Sequence, residues 1–406
     1  MTEQAALIDH GAAIRNLSER WLETVAADDS VRSGGGDFAC SPAGLWLALA
    51  AAAAGAKGVT AQELRDLLGA AEDEAATATT EVARALAHTD ALAVATGAWT
   101  CTPVHRAFRE ALPDIGFGNL DPDDLSAIDS WVKEATGGLI EKLPADPDEG
   151  TLLLLVNALA LTARWESPFA ARRTGPGDFT DAVGRTHQVA TMRRLIPVGD
   201  AWTVPSVDGR ATTVVELRCA PARDGKLPAT VRFVLGPQDA PAAHVLPASW
   251  APHEACTAFD ADDVSVALPR LDLRTNLAVT PHLEALGIRE ATGDDADFCV
   301  MSPEPLTIDK VVQECLVRVA EKGVEAAAVT MVPMGNPGGR PRPRRIHRIA
   351  FDRPFGLVVL DGSGEVPLFT AWQATAPRDV PAARDATRGP VGRALRRPVT
   401  RRRPLP

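Results

Sequence analysis

Ten residues in mid-chain, Leu152 to Leu161, are apolar with one exception, Asn157. A strand with one face in water alternates polar and apolar residues, and this run does not. It is predicted as a strand covered on both faces, central in a large sheet. Asn157 inside it must then find hydrogen-bond partners in the core. A second segment is as restrictive. Ser41-Pro42 supplies a helix cap and first-turn proline, and Leu45 to Ala54 after it is apolar nearly all round. Such a helix belongs deep inside a protein.

Around these two segments the pattern is mixed. Leu7 to Ala26 has helical periodicity through Ile14, Leu17, Trp21, Leu22 and Val25, and Gly34-Gly35-Gly36 breaks it. Thr60-Ala61-Gln62-Glu63 has the spacing of a capping box, and Gly69 can close the helix it would open. Ile128 to Leu143 is predicted as an amphipathic helix. Val264, Val266 and Leu268 alternate and stop at Pro269, as in a strand at or near a sheet edge. Phe355–Leu360 and Val366–Trp372 flank Asp361-Gly362-Ser363-Gly364, which predicts a hairpin. With helices early and most strands late, the fold class is α+β with a dominant sheet.

The 406 residues, 46% of them hydrophobic, supply ample core material. Met1 to Ala5 lacks the basic start and apolar core of a secretion signal. The longest apolar run, Gly44 to Gly55, falls short of the roughly 18 residues a membrane span needs. The expectation is a soluble, cytoplasmic protein with no membrane contact. Six scattered cysteines show no zinc spacing and are expected as buried free thiols. Arg outnumbers Lys thirty-six to six, a bias expected of a GC-rich bacterial genome. The net charge of −11 divides unevenly: residues 384–406 carry eight Arg and one Asp, so that stretch is +7 and the remainder −18. A basic tail over 377–406, expected to be disordered, could contact polyanions. No Gly-x-Ser-x-Gly elbow, His-Glu-x-x-His or phosphate-cradling glycine loop occurs, and the eight histidines are dispersed. The acidic runs Asp121–Asp124 and Asp260–Asp263 read as solvated loops. An enzyme is not expected, nor a cofactor or metal.

Near the C-terminus a strand-like run, Val311 to Val319, leads into Glu321-Lys322-Gly323-Val324-Glu325-Ala326-Ala327-Ala328-Val329-Thr330. Alanine there would ordinarily begin a helix. Pro333, Gly335, Pro337, Gly338 and Gly339 keep the chain open instead. The segment reads as a ribbon of small residues leading to an exposed, movable loop.

Together these landmarks resemble the serpins, from about Leu7 to about Ala376. Cys40-Ser41-Pro42 resembles the family's phenylalanine-serine-proline helix start, and Gly55-Ala56-Lys57-Gly58-Val59-Thr60 the turn that follows it. Ile128-Asp129-Ser130-Trp131-Val132, with Thr136, Gly138 and Ile140, resembles the helix lying across the main sheet. Asn157, Trp165 and Phe169 resemble the central strand and its exit. Leu286-Gly287-Ile288, Ala296-Asp297-Phe298, the segment from Glu321, and Phe351-Asp352-Arg353-Pro354-Phe355 follow in the family's order.

The resemblance implies one serpin domain over 1–376, a monomer, with helices around a large central sheet, smaller sheets and a reactive loop over about 321–345. Its partner would be a serine or cysteine protease, trapped as an acyl-enzyme when the cleaved loop inserts into a metastable sheet as a new strand. The implied hinge is Glu321, Gly323, Val324, Glu325, Ala326, Ala327, Ala328, Val329 and Thr330. The implied sheet-opening core is Ser41, Asn157, Trp165 and Gln313. Counting fourteen residues past Gly323, a reach of roughly 46 Å, places the cut at Pro337-Gly338. Met334, Arg340 and Arg344 are the other scissile candidates.

This chain departs from the family pattern in several places. Val324 stands where serine or threonine is usual, and Gln313 where histidine is. Gly44 and Asp37 replace the usual serine and asparagine. Pro333 cannot donate a hydrogen bond to a ladder. These departures keep a second reading open: a non-inhibitory serpin, acting as a binding module or plain protease substrate.

Overall fold

The computed structural model describes residues 3–143, 145–205, 209–221, 226–323 and 344–379. Six helices lead the chain: α1 (Glu3–Asp9), α2 (Gly11–Ala27), α3 (Asp29–Ser33), α4 (Pro42–Ala53), α5 (Gly58–Leu68) and α6 (Glu72–Ala87). Two more, α7 (Arg106–Ala111) and α8 (Ser126–Ala135), lie among the first strands. The periodicity of Leu7 to Ala26 becomes two helices that break at His10, and α2 buries the predicted stripe of Ile14, Leu17, Trp21, Leu22 and Val25. α4 opens as expected: Ser41 Oγ accepts from the Gly44 N–H at 2.9 Å, Pro42 begins the first turn, and every residue is buried.

Two helix predictions are corrected. α5 starts at Gly58, ahead of Thr60, and no side chain caps it. Instead, the Thr60 hydroxyl accepts from the Asp297 N–H, and Glu63 accepts from the N–H groups of Arg289, Glu290 and Ala291. The supposed capping box therefore ties α5 to a distant turn. Gly69, at φ +77°, does close this helix. α8 stops at Ala135 rather than continuing to Leu143. The Thr136 hydroxyl donates to the Val132 carbonyl and accepts from the Ile140 N–H, while Gly137 and Gly138 take positive φ.

Among the described residues, sixteen strands, numbered in chain order, form three sheets. The first runs β12 (Leu271–Ala278), β13 (Lys310–Val319), β4 (Leu153–Leu161), β2 (Leu92–Thr100), β3 (Gly116–Asn119). The second runs β1 (Phe38–Cys40), β16 (Pro367–Gln373), β15 (Phe355–Leu360), β9 (Thr230–Leu235), β8 (Ala211–Arg218), β7 (Ala201–Pro205), β10 (Thr257–Ala258). The third runs β14 (Ile346–Ala350), β11 (Asp263–Pro269), β6 (Thr186–Pro197), β5 (Gly175–Thr180).

β4 is the predicted central strand, buried along its whole length. One face packs into the main core with α4. The other packs into a smaller cluster with Ile128, Val132 and Ile140 from α8 and the segment after it. β15 and β16 form the predicted hairpin, whose turn is fixed by the Asp361 carboxylate accepting from the N–H groups of Ser363, Glu365 and Val366. β11 lies one strand in from the sheet edge, against β14.

The thiol expectation holds in part. All six cysteines are free, with Cys40 and Cys315 buried but Cys101 and Cys299 exposed. Among the described residues no helix is long and apolar enough to cross a membrane, and no group of His, Cys, Asp and Glu could hold a metal ion.

Candidate functional site

The five-stranded sheet contains an unusual internal seam. β12–β13 and β4–β2 are antiparallel, but β13 and β4 run parallel, in register from Lys310 opposite Leu154 to Leu316 opposite Ala160. Parallel pairing is slightly less stable per residue than antiparallel pairing. Geometry adds that a single strand entering a parallel seam can lie antiparallel to both neighbours.

A polar knot fastens this seam in mid-sheet. Gln313 on β13 and Asn157 on β4 lie directly opposite, and the Gln313 amide donates to Asn157 Oδ1 at 2.7 Å and to the Ser41 carbonyl at 3.0 Å. Gln313 Oε1 accepts from the Ser41 N–H at 2.6 Å. Asn157 donates to Thr96 Oγ1 on β2 at 2.7 Å, and the Ser41 hydroxyl donates to the Leu368 carbonyl on β16. The knot therefore joins three strands of one sheet, the start of α4 and a strand of the second sheet. Glutamine supplies both a donor and an acceptor here. None of these side chains titrates in the physiological range.

Gly44 also has a steric reason. A Cβ there would lie 2.2 Å from Asn157 Oδ1, so the small residue makes room for the amide. Asp37, grouped with the knot in the sequence, belongs elsewhere: its carboxylate accepts from Gln373, Ala374 and Thr375 and anchors the chain beyond β16.

The second half of the site is the exit from β13. Past Val319 the chain turns, with the Gly323 N–H donating to the Ala320 carbonyl at 3.1 Å. Gly323 has φ +106°, and a Cβ would come within 2.1 Å of the Ala163 carbonyl oxygen. Glycine is required by both conformation and space. Trp165 lies at this turn, not in the knot. Its indole N–H donates to the Ala320 carbonyl at 3.0 Å and its backbone N–H to the Lys322 carbonyl at 3.3 Å. The four residues grouped as a sheet-opening core thus divide into Ser41, Asn157 and Gln313 at mid-sheet and Trp165 at the exit.

Glu321 clamps the exit. Its carboxylate accepts from Arg270 Nη2 at 2.5 Å and from the Thr174 hydroxyl at 2.6 Å, and its carbonyl accepts from the Phe169 N–H. Burial pushes this carboxyl up, but the bonds from Arg270 and Thr174 outweigh it and hold the group below its ordinary value. Arg270 also reaches Asp379, just past the second sheet. Sequence reasoning missed Thr96, Thr174 and Arg270, since none stands in a motif.

Val324, Glu325, Ala326, Ala327, Ala328, Val329, Thr330, Met334, Pro337, Gly338 and Arg340 lie outside the described residues. Arg344 lies within them. It pairs with Asp263 at 2.8 Å, and Arg345 pairs with Asp260 at 2.7 Å while its N–H donates to Asp262. The acidic run Asp260–Asp263 is solvated as expected, with Asp260 and Asp262 exposed, and it also docks the start of β14.

Two outcomes follow from this geometry. Gln313→Leu leaves the buried Ser41 N–H without its acceptor and is expected to cost about 1–3 kcal/mol in urea unfolding. Glu321, depressed in the folded chain, stabilises fully above its ordinary value of 4.5 and loses that contribution as pH falls through the depressed value. Glu321→Gln should flatten this acid dependence of the thermal midpoint.

Comparison with known proteins agrees with this geometry. The family model described as "Serpin (serine protease inhibitor)" matches residues 15–373. The tick protein Iris, of Ixodes ricinus, is 27% identical over 361 residues, covering 82% of this chain and 91% of its own. Among solved structures, Serpin48 of the insect Tenebrio molitor superposes with a TM-score of 0.73 at 24% identity, covering 90% of this chain and 98% of its own. Native protease nexin-1 with heparin gives 0.71 at 17%, covering 92% and 100%.

Proposed function

The chain belongs to the serpin family, and on that premise we propose that it is an irreversible suicide inhibitor of a serine or cysteine protease. The observation that carries this reading is the parallel seam between β13 and β4, with a glycine turn at its head. The loop leaves β13 at the end where an entering strand would start.

Register arithmetic supports the fit. With Ala320 to Gly323 as the turn, Val324 would fall opposite Val319, Thr330 opposite Gln313, and Pro333 opposite Lys310, the first residue of β13. Directly opposite residues share a face. Val324, Ala326, Ala328 and Thr330 would face the main core, as Val319, Val317 and Cys315 do. Small and uncharged residues suit that face, and Thr330 would bring a hydroxyl to the knot. Glu325 would fall beside Arg318, which is partly exposed and already pairs with Asp272 at 3.2 Å. Pro333 would lie at the far end of the new strand, where a missing N–H costs least.

Bait candidates are Met334, Pro337, Gly338 and Arg340. Against Arg344 stands its anchorage at β14, which leaves little free chain on the far side of the bond. The non-inhibitory reading drew on Gln313, and that objection weakens now that Gln313 completes the knot. Residues 1–376 would form the trap, working as a monomer without cofactor. The cytoplasmic and bacterial assignments rest on the sequence alone.

Limited proteolysis between 333 and 343 should raise the thermal midpoint by tens of degrees, since the cut loop would complete the sheet. A matched protease should form an SDS-stable complex with the intact protein. Ala328→Glu, which would carry a charge into the core, should abolish both while leaving the loop cleavable. A cut that leaves the midpoint unchanged in the parent protein sinks the inhibitor reading.

The Arg-rich tail is proposed as a polyanion contact, an idea consistent with the heparin-bound nexin structure. Truncation after Pro377 should eliminate heparin binding, and the full chain should lose that binding steeply with salt.

A further inference from the structure

Two buried thiols lie at the junction where β1 of the second sheet meets β13 of the first. Cys40 ends β1, one residue before Ser41. Cys315 stands on β13 two residues past Gln313, and so on the same face of that strand. Both are fully buried in the main apolar core. The bonds on either side of Cys40 bring it to Cys315. The Ala39 N–H donates to Thr275 Oγ1 at 2.9 Å, and Thr275 is directly opposite Cys315. The Ser41 N–H donates to Gln313 Oε1 at 2.6 Å, and Cys315 Sγ lies 3.6 Å from that same oxygen. Cys40 Sγ shares a hydrogen bond with the Thr370 hydroxyl at 3.1 Å.

We propose that Cys40 and Cys315 are a redox pair, joined by a reversible disulfide that staples β13 to β1. The co-reactant is a small organic disulfide such as oxidised glutathione. One cysteine thiolate attacks it, a mixed disulfide forms and one glutathione thiolate leaves. The second cysteine thiolate then attacks the protein sulfur of the mixed disulfide and displaces the other glutathione. Two protein thiols are oxidised, one organic disulfide is reduced to two thiols, and both cysteine protons end on the released glutathione. Residues 40 to 315 become one closed loop, so the unfolded chain loses freedom and the folded state gains. The inference stands apart from the insertion reading above.

The pair is silent while the junction is closed. Burial pushes the Cys40 thiol up to about 12, against the bond from Thr370. Burial also pushes the Cys315 thiol well above its ordinary value, and Cys40 adds to that rise, so the two groups lie within electrostatic reach. Thiols held protonated and dry do not exchange. Exchange therefore needs a transient opening that admits the co-reactant, and the staple then holds the junction together. It crosses where the bonds between Gln313 and Ser41 already cross, and reinforces them. Cys101 and Cys299 differ in being exposed, and each is open to a single glutathione.

The test incubates the intact full-length protein with oxidised glutathione in urea below the unfolding midpoint. Both are then removed, and the cysteines are mapped by mass spectrometry. A peptide pair linked through Cys40 and Cys315 is expected, with a thermal midpoint raised by about 5 °C that dithiothreitol reverses. Cys40→Ser and Cys315→Ala should each lose the linkage and the rise. A variant carrying Cys101→Ser and Cys299→Ser should keep both. The mapping in the parent depends on no variant folding. Glutathione adducts at Cys101 and Cys299, with Cys40 and Cys315 still free, would overturn the proposal. A linkage that leaves the midpoint unchanged would overturn the staple.

Discussion

The side-chain amide of Gln313 ties together parts of the chain that lie far apart in sequence. It bonds both backbone groups of Ser41 and the side chain of Asn157. Ser41 in turn caps α4 and reaches β16, and Asn157 reaches β2. Break the amide and several buried groups lose partners at once, so the seam, the buried helix and the second sheet are coupled. Because buried polar groups cost free energy unless paired, such a network fixes one register and resists any other.

The same sheet changes its pairing along one line. On either side of β13 and β4 the ladders are antiparallel; between them the ladder is parallel. Beyond the knot, the chain exit from β13 depends on one glycine. Glu321, Arg270 and Trp165 hold the turn at that exit. Closure in the middle and restraint at the top are therefore separate devices, built from different side chains.

Much of this was legible beforehand, for identifiable reasons. Apolar runs of the right length and a Ser-Pro cap report local physics, and β4 and α4 followed from them. The hairpin at Asp361 to Gly364 was legible because its turn chemistry is local. The reach of α8 was misjudged because the apolar spacing continues through Ile140 and Leu143 after Gly137 and Gly138 have ended the helix. The capping box at Thr60 failed because its two side chains found partners more than two hundred residues away. Trp165 was grouped with Asn157 through the family resemblance, yet eight residues of strand and exit carry it from mid-sheet to the exit turn of β13.

The sequence by itself determined which segments must be buried, that a helix begins at Ser41-Pro42, and that Asn157 needs partners. These follow from periodicity, capping and desolvation, which act over a few residues. Only the tertiary structure decided who those partners are. Gln313, Ser41 and Thr96 meet Asn157 because β13 and β2 flank β4, a strand order that no local pattern encodes. The acidic run at Asp260 meets Arg344 and Arg345 for the same reason. Hydrogen bonds and ion pairs between distant residues exist only after the sheet has set its neighbours.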